Sequence, residues 1–335
     1  MSNFKTLADI SKIIKEMPVK DIEAEAKAIA HQNQLTKPPG ALGILEELAV
    51  FLSSWQRTTK PSLKTVQALV FAGNHGICAQ GVNPFPQGVT KQMVENFKAG
   101  GAAINQLCEV SGADLNIVPL SLDDPTADFT EEEAMSELDL CEAIEIGARS
   151  VNLNSDLILL GEMGIGNSTI SSALAASVFG GSVERWVGAG TGSDQKGQAH
   201  KAAIIELGIK KHGLRNNLSA LLAFGGREQA AICGAILAAR EASIPVLLDG
   251  FICTAAAAPL FGTSKNSLDH CLFGHLSAEP GHRLLLEAMG KSAILDLNMR
   301  LGEGTGAALA LSILKGAIAC HNNMATFESA GISSS

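Results

Sequence analysis

Two textures of apolar and polar positions divide the chain. Over roughly the first sixty residues apolar positions recur at helical spacing, in "LADISKIIKEM" and again in "DIEAEAKAIAHQNQL", and the pattern breaks at "TKPPGALG". From about Val66 it changes to short β-branched or aliphatic runs, each ending at glycine or a polar turn and each followed by a helical segment. The runs are "VQALVFAG", "ADLNIVPL", "SDLILLGEMG", "IPVLLDG" and "LDHCLFG". Strands alternating with helices of this length predict crossover units and a mostly parallel, Rossmann-like sheet with helices on both faces, a three-layer α/β/α fold. Ligands of such sheets bind beyond the carboxyl ends of the strands.

The acidic stretch "SLDDPTADFTEEEAMSELDLCEAIEIGARS" places Thr130 three residues before Glu133, a capping-box spacing that predicts a helix from about Glu131 to Arg149. The acid run reads as a loop and the solvated face of that helix. After Glu303 another long helix is expected over "TGAALALSILKGAIACHNN", with the tail "GISSS" frayed. The economical organisation is an α/β domain over residues 65–304 and a small helical subdomain from both chain ends, 1–64 and 305–335.

Of the 335 residues 46% are apolar, yet no window approaches the roughly 18 uninterrupted apolar residues of a membrane span. The N-terminus carries acids among its lysines and lacks the apolar core and cleavage site of a signal peptide, so a cytoplasmic protein is expected. Seven cysteines, odd in number and without a C-x-x-C pair, predict reduced core residues rather than disulfides or a structural zinc site. A net charge of -9 with scattered lysines and arginines argues against nucleic acid as a partner. Tyrosine is absent and glycine numbers 34, which suggests closely packed helices and tight loops where backbone can approach a ligand.

Candidate chemistry concentrates in the glycine-rich loops. In "DLILLGEMGIGNSTISSALAASVFG" a strand from about Asp156 to Leu160 runs into Gly161–Asn167, and a helix starts near Ser168. Exposed main-chain N–H groups and a helix N-terminus there suit an anion, although a plain strand-to-helix turn has the same signature. No Lys-Ser/Thr follows the glycines, and Gly164-x-Gly166 lacks the third glycine of the dinucleotide pattern, which disfavours a Walker loop and a nicotinamide-dependent dehydrogenase. A second cluster, Gly188, Gly190 and Gly192, precedes a helix bearing Lys196 and Lys201, whose charge suits a phosphoryl group. "FAGNHGICAQGVNPFPQGVTKQMV" follows the first strand, so Asn74 and His75 either hold a turn or serve the ligand edge.

His270, His275, His282 and the Asp123-Asp124 pair show no ligand spacing with a mechanism, so neither metal nor cofactor is expected. No G-x-S-x-G elbow or Cys-His context supports nucleophilic catalysis. Two carboxylates remain: Glu162 and Glu303, each beside glycine and each ahead of a helix, where an acid can cap the helix or act as a general base.

"KPPGALGILEELA", "GNHGICAQGV", "GEMGIGNST", "PVLLDGF", "SAEPGHR" and "MRLGEGTGAALAL" follow one another in an order that resembles the nicotinate-nucleotide:dimethylbenzimidazole phosphoribosyltransferase family of cobalamin synthesis over nearly the whole chain. The resemblance implies a cytoplasmic homodimer that moves phosphoribose from nicotinate mononucleotide to 5,6-dimethylbenzimidazole. It places a proton acceptor on Glu303 and a second active-site carboxylate on Glu162. Gly164, Gly190, Lys201 and Ser277 fall where the family holds phosphate, and Phe85, Met93, Met163 and Leu301 where it receives the aromatic base. Many relatives have Asp-His-Gly where this chain has Asn74-His75-Gly76, and some have smaller or more polar residues at positions 85 and 93; a Phe and Met lining admits other aromatic nucleophiles.

Overall fold

A computed structural model describes residues 4–190 and 192–333; Thr191, within the second glycine cluster, and the last two residues of the tail lie outside it. Among the described residues six strands form one sheet: β1 (Val66–Ala72), β2 (Asp114–Pro119), β3 (Leu157–Met163), β4 (Val246–Leu248), β5 (Cys271–His275) and β6 (Ala293–Leu295). All pair in parallel, in the order β2-β1-β3-β4-β5-β6. The first five coincide with the apolar runs of the sequence. The sixth is three residues long, only half-buried, and too short for a periodic signal.

Side chains of β1 and β3 alternate between two apolar cores, which is why these strands read as continuous apolar runs. Leu69, Phe71, Ile158 and Leu160 face a core shared with the helices Glu137–Ser150, Asn167–Phe179, Arg227–Glu241 and Phe251–Thr263. Val66, Ala68, Val70, Leu157 and Leu159 face the other, shared with Ile44–Trp55, Ala103–Ser111 and Thr305–Asn323. The first helix, Leu7–Lys15, joins the former core through Ile10 and Ile14, whereas Ile44–Trp55 and Thr305–Asn323 pack on each other and on the latter.

Two local expectations are corrected. The acidic helix starts at Glu137, not near Glu131, because Ser136 and Asp139 form the capping box while Asp128 folds back on Thr130. Strand β3 runs three residues past Leu160, because Gly161, Glu162 and Met163 pair with Val70, Phe71 and Ala72 of β1. Glu162 therefore stands on the rigid end of a strand rather than in a loop.

The small residues let helices approach closely. A Cβ on Gly147 would lie 1.8 Å from the Ala231 carbonyl oxygen, and one on Gly234 would lie 1.8 Å from that of Ile144, so Glu137–Ser150 and Arg227–Glu241 touch backbone to backbone. Gly234→Ala is expected to force the pair apart and cost about 3 kcal/mol, lowering Tm by several degrees in calorimetry; an unchanged Tm would contradict this packing.

Candidate active site

The strand order reverses between β1 and β3, and the loops leaving the carboxyl ends of β1, β3, β4 and β5 meet there. They enclose a cleft with about 760 Å³ of empty space, open solvent at its mouth included. Glu162, Met163, Gly164, Gly190, Lys201 and Ser277, all singled out in the sequence, line it, as does Leu301.

After β3 the chain turns through Gly164, Ile165 and Gly166, which caps the helix Asn167–Phe179 at φ +91°, a left-handed conformation that suits glycine. The turn is tied to the segment that follows β1: Ile165 N–H donates to Oγ1 of Thr90, on the helix Val89–Lys98, at 3.1 Å, and the Cys78 thiol to the Ile165 carbonyl at 3.2 Å. Beside it Lys201 Nζ donates to Ser168 Oγ at 3.2 Å. The Lys201 side chain is buried, and that burial lowers its pKa, opposed by the carboxylate of Glu279. Gly190 is held from both sides: its N–H donates to Glu279 Oε1 at 2.8 Å, and its carbonyl accepts from Arg300. A buried lysine, a serine and the N-terminus of the helix Asn167–Phe179 around one turn suit an anion such as phosphate.

Ser277 is fixed by His282, whose Nδ1 accepts from the Ser277 N–H at 2.9 Å while Nε2 meets Thr254 Oγ1 at 3.0 Å. The first bond requires a lone pair on Nδ1, so the ring is neutral with its proton on Nε2. Burial also pushes its pKa down to about 3. His282 is a brace for the loop.

The stretch Gly302-Glu303-Gly304 takes φ of +86°, +64° and +93°, three left-handed residues in succession. For a glutamate this conformation costs about 1–2 kcal/mol, so tertiary contacts must hold it. Asp249, at the end of β4, accepts from the N–H groups of Gly304 at 3.2 Å and Ala307 at 3.0 Å, capping the helix Thr305–Asn323 from outside. The Thr305 hydroxyl closes the turn on the Gly302 carbonyl at 2.8 Å. A Cβ at Gly302 would come within 2.5 Å of Glu162 Oε1, and one at Gly161 within 2.5 Å of the Glu303 carbonyl oxygen, so both glycines serve close approach.

Glu303 does not cap its own helix. Its Oε2 accepts from Ile104 N–H at 3.4 Å, at the start of Ala103–Ser111. Its neighbour Gly302 lines the cleft while Glu303 itself is 6% exposed. Burial raises its pKa; the Ile104 N–H opposes the shift and Asp249 adds to it. Glu162 is raised further, by burial first and then by the negative charges of Asp249, Glu228 and Glu303; the amide of Asn167 donates to it and works the other way.

Phe85 and Met93 lie off the wall. Phe85 is 47% exposed, in a shallower depression that shares Asn83 and Pro84 with the cleft, and Met93 packs against the core behind Ala103–Ser111. Phe251, Ile252 and Ile165 supply apolar wall instead.

A family model described as phosphoribosyltransferase matches residues 17–332. A nicotinate-nucleotide--dimethylbenzimidazole phosphoribosyltransferase from Rhodobacter capsulatus is 54% identical over 99% of both chains. The chain belongs to the nicotinate-nucleotide:dimethylbenzimidazole phosphoribosyltransferase family. A member from a Ruegeria species is 51% identical over 99% of both chains. The crystal structure of CobT from Thermus thermophilus superposes with a TM-score of 0.87 at 39% identity, covering 93% of this chain and all of that one.

In this phosphoribosyltransferase the sequence reading had given no role in the site to the wall residues Asp249, Phe251, Glu279 and Arg300, had weighed His275 only as a metal ligand, and had named Asn167 only as the end of a glycine turn. Asp249-Gly250, at the end of a strand, carried the same positional signal as Glu162; Glu279 and Arg300 had none, since their partner is the backbone of Gly190, 89 and 110 residues away. The raised pKa of Glu162 gives a prediction. An acid favoured in its protonated form by folding adds stability below its ordinary pKa of 4.5 and loses that contribution as pH rises through the folded-state value. Glu162→Gln, which mimics the protonated form, is therefore expected to raise Tm at neutral and alkaline pH and to leave it unchanged near about pH 4. A thermal-unfolding series across pH tests this; an equal shift at every pH would refute it.

Proposed function

We propose that this protein transfers phosphoribose from nicotinate mononucleotide to 5,6-dimethylbenzimidazole or a similar aromatic base. The products are α-ribazole 5'-phosphate and nicotinate, in the lower-ligand branch of cobalamin synthesis. The observation that carries the reading is the convergence, at one sheet edge, of a buried lysine and glycine turns with two buried carboxylates, Glu162 and Glu303, of raised pKa.

In this reading Gly164, Gly190, Lys201 and Ser277 hold the phosphate of the donor. Nicotinate leaves C1' as a neutral ring nitrogen, taking the electron pair of the glycosidic bond, so its departure needs no general acid. The incoming base attacks C1' with one ring nitrogen and becomes cationic, which acidifies its other N–H. Glu303 accepts that proton, and its charge stabilises the cation as it develops. Glu162, disfavoured as an anion, hydrogen-bonds in the site instead. Attack on the face opposite the leaving ring converts the β-nucleotide to an α-product, and holding the two rings in line supplies much of the rate.

Met163 and Leu301 form part of the aromatic pocket; Phe85, on the loop after β1, and Met93, on the helix Val89–Lys98, complete it in this reading when that segment moves toward the cleft. The reading includes a cytoplasmic homodimer and a small subdomain drawn from residues 1–64 and 305–335. The decisive experiment incubates the protein with nicotinate mononucleotide and a panel of benzimidazoles, purines and phenols, and identifies the ribosylated product by mass. Binding of the mononucleotide without release of nicotinate on addition of any base would leave a nucleotide-binding protein rather than an enzyme.

A further inference from the structure

Against the Gly164 turn packs a titratable pair that the transfer step leaves unused. His75 Nε2 and Glu228 Oε1 stand 3.1 Å apart, and both side chains are fully buried. Among the described residues none of their four side-chain heteroatoms hydrogen-bonds to any other group. Glu228 is the second residue of Arg227–Glu241, where the helix N-terminus favours a carboxylate.

Three separate segments give up side chains to house this pair. A Cβ on Gly73, just after β1, would lie 2.3 Å from Glu228 Oε2; one on Gly226, capping the helix of Glu228, would lie 2.5 Å from His75 Cε1. One on Gly164 would lie 2.9 Å from His75 Nε2. A buried imidazole–carboxylate pair adds less stability than apolar packing of the same volume. Its presence is therefore better explained by what it sets in place than by what it stabilises.

What it sets in place is the turn. The segment after β1 reaches Gly164–Gly166 through His75, Cys78 and, on the helix Val89–Lys98, Thr90, and the last two bind Ile165 from the side. His75 itself is pinned, since its carbonyl accepts from Gln87 Nε2 at 2.8 Å and the next N–H donates to the Thr126 carbonyl at 2.7 Å. Glu228 is close enough to add its charge to that felt by Glu162.

We propose that His75 and Glu228 are positioning residues for the phosphate-bearing substrate: filling the space against Gly164, they hold the Gly164–Gly166 turn where its N–H groups meet the phosphate. The inference rests on reading that turn as the phosphate seat. The test is steady-state kinetics of Glu228→Gln and His75→Gln, which keep the approximate volume and replace the imidazole–carboxylate contact.

Both variants are expected to raise KM for nicotinate mononucleotide and the inhibition constant of inorganic phosphate about tenfold, with KM for the aromatic base and kcat nearly unchanged. A uniform loss in kcat with unaltered KM values, or no change at all, overturns the proposal. A wild-type protein that releases no nicotinate overturns the transferase reading instead, so the two failures are distinguishable. Should neither variant fold, wild-type protein labelled with ¹⁵N-histidine decides: the His75 ring resonance, assigned through its contact with Gly164, moves on adding inorganic phosphate and not on adding base alone. A resonance indifferent to phosphate refutes the role.

Discussion

Replacing Glu303 by glutamine is expected to lower kcat/KM by about 10²–10⁴-fold, the range for loss of a positioned general base, without unfolding the protein. Glutamine keeps an oxygen to accept from the Ile104 N–H, so the tie between the Gly302–Gly304 turn and Ala103–Ser111 survives. What is lost is the proton acceptor and the negative charge that opposes the cation forming on the incoming ring. The pH profile provides a second readout. Burial raises the Glu303 pKa above its ordinary 4.5, so the acceptor is protonated and idle on the acid side of a limb lying above that value. Wild-type kcat/KM should fall on acidification through that limb, and Glu303→Gln should lack it. Full turnover in the variant, or an unchanged limb, would remove Glu303 from the proposed role.

Lys201→Ala is expected to act on the other substrate. Deleting a buried amine that faces a phosphate removes a charge-assisted hydrogen bond worth about 1.5–3 kcal/mol, a rise of about 10–100-fold in KM for nicotinate mononucleotide. The aromatic base should bind as before. Because burial holds the Lys201 pKa below its ordinary 10.5, donor binding in the wild type should weaken on the alkaline side sooner than for an exposed lysine, and this inflection should vanish in the variant. Equal changes in both KM values would place Lys201 outside the phosphate seat.

The contrast between these residues shows what a chain discloses. Lys201 and Gly164 were legible as candidates because a lysine on a helix after a glycine cluster, and a glycine at a strand-to-helix turn, are features of the local sequence. From its own surroundings Glu303 was legible only as an acid between glycines, more readily a structural cap than a base, and only the family resemblance placed a proton acceptor there. The structure divides them differently: Asp249 caps the helix that follows Glu303, and Glu303 reaches the start of another helix, 199 residues away in the chain. His75 was legible only as a residue that holds a turn or serves the ligand edge, and the roles of Glu279, Arg300 and Glu228 were not legible, since each acquires its meaning from a backbone or side chain brought to it by the fold.

By itself the sequence determined the alternation of strand and helix, because two-sided burial of a parallel sheet writes continuous apolar runs, and it determined which loops end at the ligand edge, because glycine marks the turns. Tertiary structure alone decided how far β3 extends, which fixes Glu162 on rigid backbone. It also decided that Gly302, Glu303 and Gly304 sit in a left-handed run. The physical reason is the same in both cases. Pairing partners and buried carboxylates select a conformation that the local chain disfavours or leaves open, and those partners lie tens to hundreds of residues away.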